Sequence, residues 1–178
     1  MDNLLGYKNI KPELIEKAAK IKLLFTDSDG VLTDTGVYYS ERGEEMKRFS
    51  IRDGMGVERL RELSGVETGI ITGENSGSVR TRAEKLKINE LHLGVKNKLD
   101  RMLEIAARRD LKPENIAYIG DDTNDLDVIK YAGLTGCPSD AVIQIKMIVD
   151  HITESRGGNG AFRDFAELVI HSKLFLKF

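Results

Sequence analysis

A single cysteine, Cys137, is all that this chain of 178 residues carries. That scarcity excludes an internal disulfide framework and a zinc site built on cysteines alone; Cys137 itself reads as a small core residue. Charge of one sign is also missing. The 27 basic and 29 acidic residues are interleaved and leave a formal net charge of -2, so no basic stripe suggests nucleic acid and no polybasic segment suggests a membrane surface. No apolar run approaches the ~20 residues of a membrane span. Met1 to Lys22 is too charged for a signal peptide. Internal repeats and low-complexity stretches are absent as well, and the length suits one domain, residues 1–178, with a full hydrophobic core. These absences together predict a soluble cytoplasmic protein that acts on a small molecule, with no nucleic-acid or membrane partner.

What is present is a regular alternation of apolar, β-branched runs with segments of helical period. Strands are predicted at Ile21–Asp27, Val66–Thr72, Glu90–Leu93, Asn115–Gly120 and Leu134–Cys137, with an edge strand near Ile148–Asp150. Ser76–Leu86 and Lys98–Arg109 carry apolar residues at helical spacing, as does a final segment with Phe162, Phe165, Leu168 and Val169. The expected fold class is α/β: a Rossmann-like three-layer arrangement around a mostly parallel sheet. One element breaks the alternation. Residues 36–51 read as two short strands around Glu41-Arg42-Gly43, a β-hairpin flap too short to be a cap domain. A site beneath so small a flap would need a wall from a neighbouring subunit to exclude water.

The chemistry-bearing residues fall where this fold places ligand sites, at the C-terminal ends of strands. The first strand runs into Asp27-Ser28-Asp29-Gly30; alternation points the two acids the same way, and Gly30 lets the chain turn aside. The second ends in Thr72-Gly73 ahead of a helix, a setting suited to a phosphate. Lys98 opens a helix, where a cation is unfavourable unless it meets an anion. The fourth strand ends in Gly120-Asp121-Asp122-Thr123-Asn124-Asp125, an acidic cluster whose repulsion calls for a cation. Asp27, Asp29 and either Asp121 or Asp122 supply hard oxygen ligands for Mg²⁺, while Thr72 and Lys98 supply donors for a phosphoryl group. His92, His151 and His171 are scattered without ligand spacing.

In that order, Asp27-Ser-Asp29-Gly-Val, Thr72-Gly73, Lys98 and Gly120-Asp121-Asp122-x-Asn-Asp125 resemble the four motifs of the haloacid dehalogenase superfamily of phosphatases. The resemblance implies Asp27 as nucleophile and Asp29 as general acid and base. It implies Mg²⁺ held by Asp27, the Asp29 carbonyl and Asp121. Thr72, Gly73 and Lys98 would bind phosphate, with Asp122 and Asp125 behind them, orienting Lys98 or the water ligands of the metal. Asp29–Asp34, the hairpin, Phe49–Gly54 and Arg156-Gly-Gly-x-Gly160-Ala-x-Arg163 extend the likeness to the capless branch acting on 2-keto-3-deoxy sugar-acid phosphates. That branch implies a homotetramer whose active sites are closed by neighbouring subunits, with Arg156 as a substrate contact.

Around Thr72 the eight-carbon enzymes of the branch usually have Thr-Gly-Arg, whereas here Thr72-Gly73-Glu74 is followed by Arg82 and Lys85. This looks like the relatives acting on nine-carbon acids, in which the Glu and an Arg and Lys from a neighbouring subunit contact the substrate, so Glu74, Arg82 and Lys85 are expected to set specificity for a nine-carbon 9-phosphate. The alternative is 3-deoxy-D-manno-octulosonate 8-phosphate, which Arg52-Asp53-Gly54 favours. Two readings of other classes compete: a non-catalytic tetramerising domain, and a receiver-type domain phosphorylated on Asp27. Retention of Asp27, Asp29, Lys98 and Asp121 argues against the first, and Asp29 is superfluous to the second.

Overall fold

The computed structural model describes residues 10–176; the first nine residues of the charged stretch Met1–Lys22 lie outside them. Helix α1, Pro12–Ala19, starts on a proline, where the missing N–H is no loss. Strand β1, Leu23–Thr26, is buried along its whole length, as befits a strand covered on both faces. The hairpin follows as β2, Thr33–Ser40, and β3, Gly43–Phe49, paired with each other and, among the described residues, with no other strand. It has an irregular register between Thr33 and Val37.

Helix α2, Ile51–Ser64, is capped by Ser50, whose hydroxyl accepts from the N–H groups of Arg52 and Asp53, and it stops at Gly65 with φ 68°. Then come β4, Glu67–Ile71; α3, Gly77–Leu86; β5, Glu90–His92; and α4, Lys98–Arg108. The chain closes with β6, Ile116–Ile119; α5, Leu126–Tyr131; β7, Leu134–Cys137; α6, Ile143–Lys146; β8, His151–Ile152; and α7, Ala161–Phe175. No helix of the described residues is long and apolar enough to cross a membrane.

The main sheet has six strands in the order β5-β4-β1-β6-β7-β8, all parallel. One face packs against a core that includes Ala18, Leu60, Val79, Phe162 and Phe165, and the other against Met102, Ile105, Val128 and Ile145. These are the three layers expected. The chain builds outward from β1 to β5, then crosses back to β6 beside β1, so the crevice where ligands bind opens between the ends of β1 and β6. The edge strand forms at His151–Ile152 rather than at Ile148–Asp150. Asp150 instead turns its carboxylate onto Thr135, accepting from its N–H at 2.9 Å and its hydroxyl at 3.0 Å, so the pairing with β7 starts one residue later.

The segment Arg52-Asp53-Gly54 is the first turn of α2, and Asp53 is buried there. Its carboxylate accepts from the N–H of Gly160 at 3.1 Å and of Arg163 at 3.0 Å, closing the N-terminus of α7 from a neighbouring helix. Burial pushes Asp53 up to about 6, against the pull of those N–H groups. Replacing it with alanine orphans buried donors, so Asp53→Ala is expected to cost about 1–3 kcal/mol. A thermal melt should read this as a midpoint lowered by about 5 °C; an unchanged midpoint would show that water satisfies α7 equally well.

Candidate active site

β1 ends at Thr26, so Asp27 to Gly30 form a turn and not the end of a strand. The two acids therefore reach one cleft through the turn, not through strand alternation as expected. Gly30 has φ 84°, and a Cβ there would run into the carboxylate of Asp121. Glycine thus serves twice, making the turn and letting the end of β6 approach the end of β1. Gly120 does the same one step back, since a Cβ on it would overlap the Asp125 carboxylate.

Asp27 is held on both oxygens. Oδ1 accepts from the N–H of Ser28 at 2.6 Å, and Oδ2 lies 2.7 Å from the ammonium of Lys98. Lys98 is buried at the first turn of α4, with a second carboxylate, Asp125 Oδ1, also at 2.7 Å. Two anions thus outweigh both burial and the positive end of the helix, and the lysine is held above its ordinary range. Asp125 is fully occupied: Oδ1 also accepts from the Tyr118 hydroxyl at 2.6 Å, and Oδ2 from the N–H of Asp121 at 3.0 Å. It lies behind the site, in the place expected of a residue that orients Lys98.

Asp121 is different. Its Oδ1 is buried and has no hydrogen-bond partner among the described residues. Carboxylate oxygens of Asp27, Asp121 and Asp125 lie within 4.8 Å of one another. Burial first, then repulsion from Asp27, Asp125 and Asp122, pushes Asp121 up to about 8; burial and Asp125 push Asp27 up to about 7 despite Lys98. An orphaned carboxylate oxygen amid like charges is a donor set for a hard divalent cation.

The cleft over these groups measures about 260 Å³ and is lined by Asp27, Asp29, Thr72, Gly73, Glu74 and Asp121, with Asp122 and Asn124 at the β6 end. Thr72 is buried, and its Oγ1 accepts from the N–H of Glu74 at 3.4 Å. The structure thus brings together every residue expected to do chemistry. Of the expected specificity residues, Glu74 lines this cleft, whereas Arg82 and Lys85, expected to act from a neighbouring subunit, lie outside the cleft of their own chain. Arg82 is spent inside its own chain, donating to the carbonyl of Ser50 at 2.9 Å, with its guanidinium 5.8 Å from the centre of the Phe49 ring. Lys85 is exposed on α3. Arg156 bonds Asp140 at 3.1 Å and is not part of the cleft wall, although its loop packs on the acid turn through the N–H of Gly158, which donates to Val31.

Two residues escaped the sequence reading. Thr35, with φ 66°, stands at the irregular base of the hairpin and lines the cleft. Lys47 of β3 reaches down to Asp29, its ammonium 2.7 Å from Oδ2, while Thr33 Oγ1 donates to Oδ1 at 3.1 Å. In a flap rich in charge, neither differs in sequence from a solvated residue.

Residues 71–163 match the haloacid dehalogenase-like hydrolase family. The chain is 37% identical over 164 residues to the 3-deoxy-D-manno-octulosonate 8-phosphate phosphatase KdsC of Salmonella typhimurium, covering 92% of this chain and 87% of that protein. Among solved structures, the corresponding phosphatase of Yersinia pestis superposes with a TM-score of 0.91 at 34% identity, over 99% of this chain and 94% of the other. That of Moraxella catarrhalis, solved with a magnesium ion, a phosphate ion and a KDO molecule, gives 0.88 at 34% identity over 93% and 94%.

Proposed function

From the premise that this chain belongs to the haloacid dehalogenase-like hydrolases and is a phosphomonoesterase of that type, we propose that it hydrolyses 3-deoxy-D-manno-octulosonate 8-phosphate with Mg²⁺ through an aspartyl-phosphate on Asp27. The observation that carries the chemistry is the pairing of Asp27, locked between Ser28 and Lys98, with the orphaned oxygen of Asp121. The substrate rests on the eight-carbon phosphatases that resemble the chain over nearly its full length. The nine-carbon expectation is set aside, because the relatives named above are eight-carbon phosphatases and none supports it.

The steps follow from the side chains. Asp27 attacks phosphorus, and the bond from phosphorus to the sugar oxygen breaks as Asp29 gives that oxygen a proton. Asp29 then takes a proton from water, which attacks the acyl-phosphate to release inorganic phosphate and regenerate Asp27. Lys98 and Thr72 hold phosphoryl oxygens, and Asp125 with Tyr118 holds Lys98 in place. Asp27, Asp121 and the carbonyl of Asp29 would hold Mg²⁺, which when bound offsets carboxylate repulsion and draws charge from the phosphoryl oxygens.

Closure by neighbouring subunits in a homotetramer belongs to the same proposal. It is supported by the open cleft and by the exposed Tyr38, Tyr39 and Met46 on the flap. A catalytically silent tetramerising role has no observation in its favour, since the acids and the lysine stand in bonded order. Phosphate release from the eight-carbon 8-phosphate and a nine-carbon 9-phosphate, with Mg²⁺ and with chelator, tests the proposal. The eight-carbon ester is expected to be favoured at least tenfold in kcat/KM, about 1.4 kcal/mol, and chelator is expected to abolish both activities. The reverse preference would restore the nine-carbon reading, and metal-independent release would remove the magnesium.

A further inference from the structure

The flap is solvent-exposed along most of its length, yet the Lys47 side chain on it is only 1% exposed. A lysine is enclosed in this way only where fixed anions offset its lost hydration. Here they are Asp29 Oδ2 at 2.7 Å and Glu44 Oε2 at 3.3 Å. Glu44 in turn accepts from the hydroxyl of Ser76, which caps α3 by accepting from the N–H of Val79. One line of bonded groups therefore runs from the acid turn, across the flap, to the helix start that follows the Thr72–Glu74 loop. A lone two-stranded hairpin has little stability of its own, so this line helps to seat the flap on the domain, together with Arg48, which donates to the carbonyl of Gly158 at 3.2 Å and to Asn159 Oδ1 at 3.0 Å, and with Phe49 on the core. It ends on the carboxylate that Thr33 holds from the other side.

We propose that Lys47 is a positioning residue: by gripping Asp29 Oδ2 opposite Thr33 it sets the plane of the Asp29 carboxylate at the cleft, and it makes that orientation depend on the flap being seated. The inference rests on the reading of Asp29 as the proton donor to the leaving oxygen. In that step the Asp27 oxygen bonds to phosphorus, the bond from phosphorus to the sugar oxygen breaks, and its electron pair takes the Asp29 proton. A sugar alkoxide leaves poorly without that proton, whereas p-nitrophenolate needs little help. A displaced Asp29 therefore penalises the sugar ester selectively. A lysine that only kept the flap folded would penalise both esters alike.

The experiment compares kcat/KM, which covers all steps up to departure of the leaving group, for the eight-carbon 8-phosphate and p-nitrophenyl phosphate. The proteins are wild type, Lys47→Met, Lys47→Arg and Glu44→Gln, each with a thermal melt. Lys47→Met is expected to lose on the order of 10²-fold toward the sugar ester, at least tenfold more than toward the aryl ester. Lys47→Arg should recover part of the loss. Glu44→Gln should show the same selectivity more weakly, and it carries the comparison if Lys47→Met does not fold. Equal losses on both esters, or none, would overturn the role of Lys47 while leaving the proposed function standing. A wild type that cleaves the aryl ester but not the sugar phosphate would overturn the substrate, and this inference with it.

Discussion

Asp27→Asn should abolish phosphate release, by on the order of 10⁵-fold, the scale on which removal of a catalytic nucleophile acts. The amide keeps the shape, and its one oxygen can still accept from the N–H of Ser28 while its NH2 takes the place of the oxygen that faced Lys98, which keeps its bond to Asp125, so most of the geometry around it should survive. What disappears is the carboxylate oxygen that forms the bond to phosphorus. The melting midpoint should move by only a few degrees. The lost attraction to Lys98 is countered by relief of a buried charge that Asp125 repels, the same burial and repulsion that push Asp27 up to about 7. Acid-quenched single turnovers make the result specific: the wild type should carry acid-stable, hydroxylamine-labile phosphate, and the variant none. A variant retaining a hundredth of the activity would mean that water attacks directly, with Asp27 in a supporting part.

The acids of this site were legible in the sequence because each stands next to a signal that is local. Asp27 follows four buried apolar or small residues and precedes a glycine, and Asp121 and Asp125 follow Gly120; strand, turn and charge are read within a few positions. The parallel sheet was legible for the same reason, its strands being continuous apolar runs. The short β8 drifted because its start is decided by Asp150 bonding Thr135, a contact between residues 15 positions apart. Helix α2 was not predicted, because its interior holds Gly54 and Gly56 and its apolar stripe is weak. It stands on the Ser50 cap and on packing against α7, with Arg163 against Gly56.

The same distinction divides the site. Lys47 and Arg82 have the same kind of setting in sequence, a cation in a charged stretch. The structure encloses Lys47 against Asp29 and turns Arg82 onto Ser50 and Phe49. Only the third dimension tells them apart, since both contacts join segments 18 and 32 residues distant. Lys98 was legible where Lys47 was not because its position at a helix start is electrostatically wrong unless an anion awaits it, and the anions are there.

Removing that lysine should therefore be felt in stability and in chemistry together. Lys98→Met fills a similar volume but leaves Asp27 and Asp125 buried, facing each other and Asp121, with no cation among them. Breaking a buried pair by deleting one partner costs about 3–5 kcal/mol, which for a domain of this size lowers the melting midpoint by about 10 °C. Activity should fall roughly 10³-fold, since a fixed cation facing the phosphoryl group is lost. Asp125 would keep Tyr118 and the N–H of Asp121, so the cost falls mainly on Asp27. The discriminating reading is the effect of Mg²⁺ on the melt. A divalent ion that binds the folded chain alone stabilises it by about 2.7 kcal/mol at a hundredfold excess over its dissociation constant. With the lysine's charge gone, the same carboxylates should hold the ion more tightly, so Mg²⁺ should raise the midpoint of Lys98→Met by more than it raises that of the wild type. Equal shifts would mean that lysine and metal do not share these anions, and that the repulsion among Asp27, Asp121 and Asp125 is relieved by protonation instead.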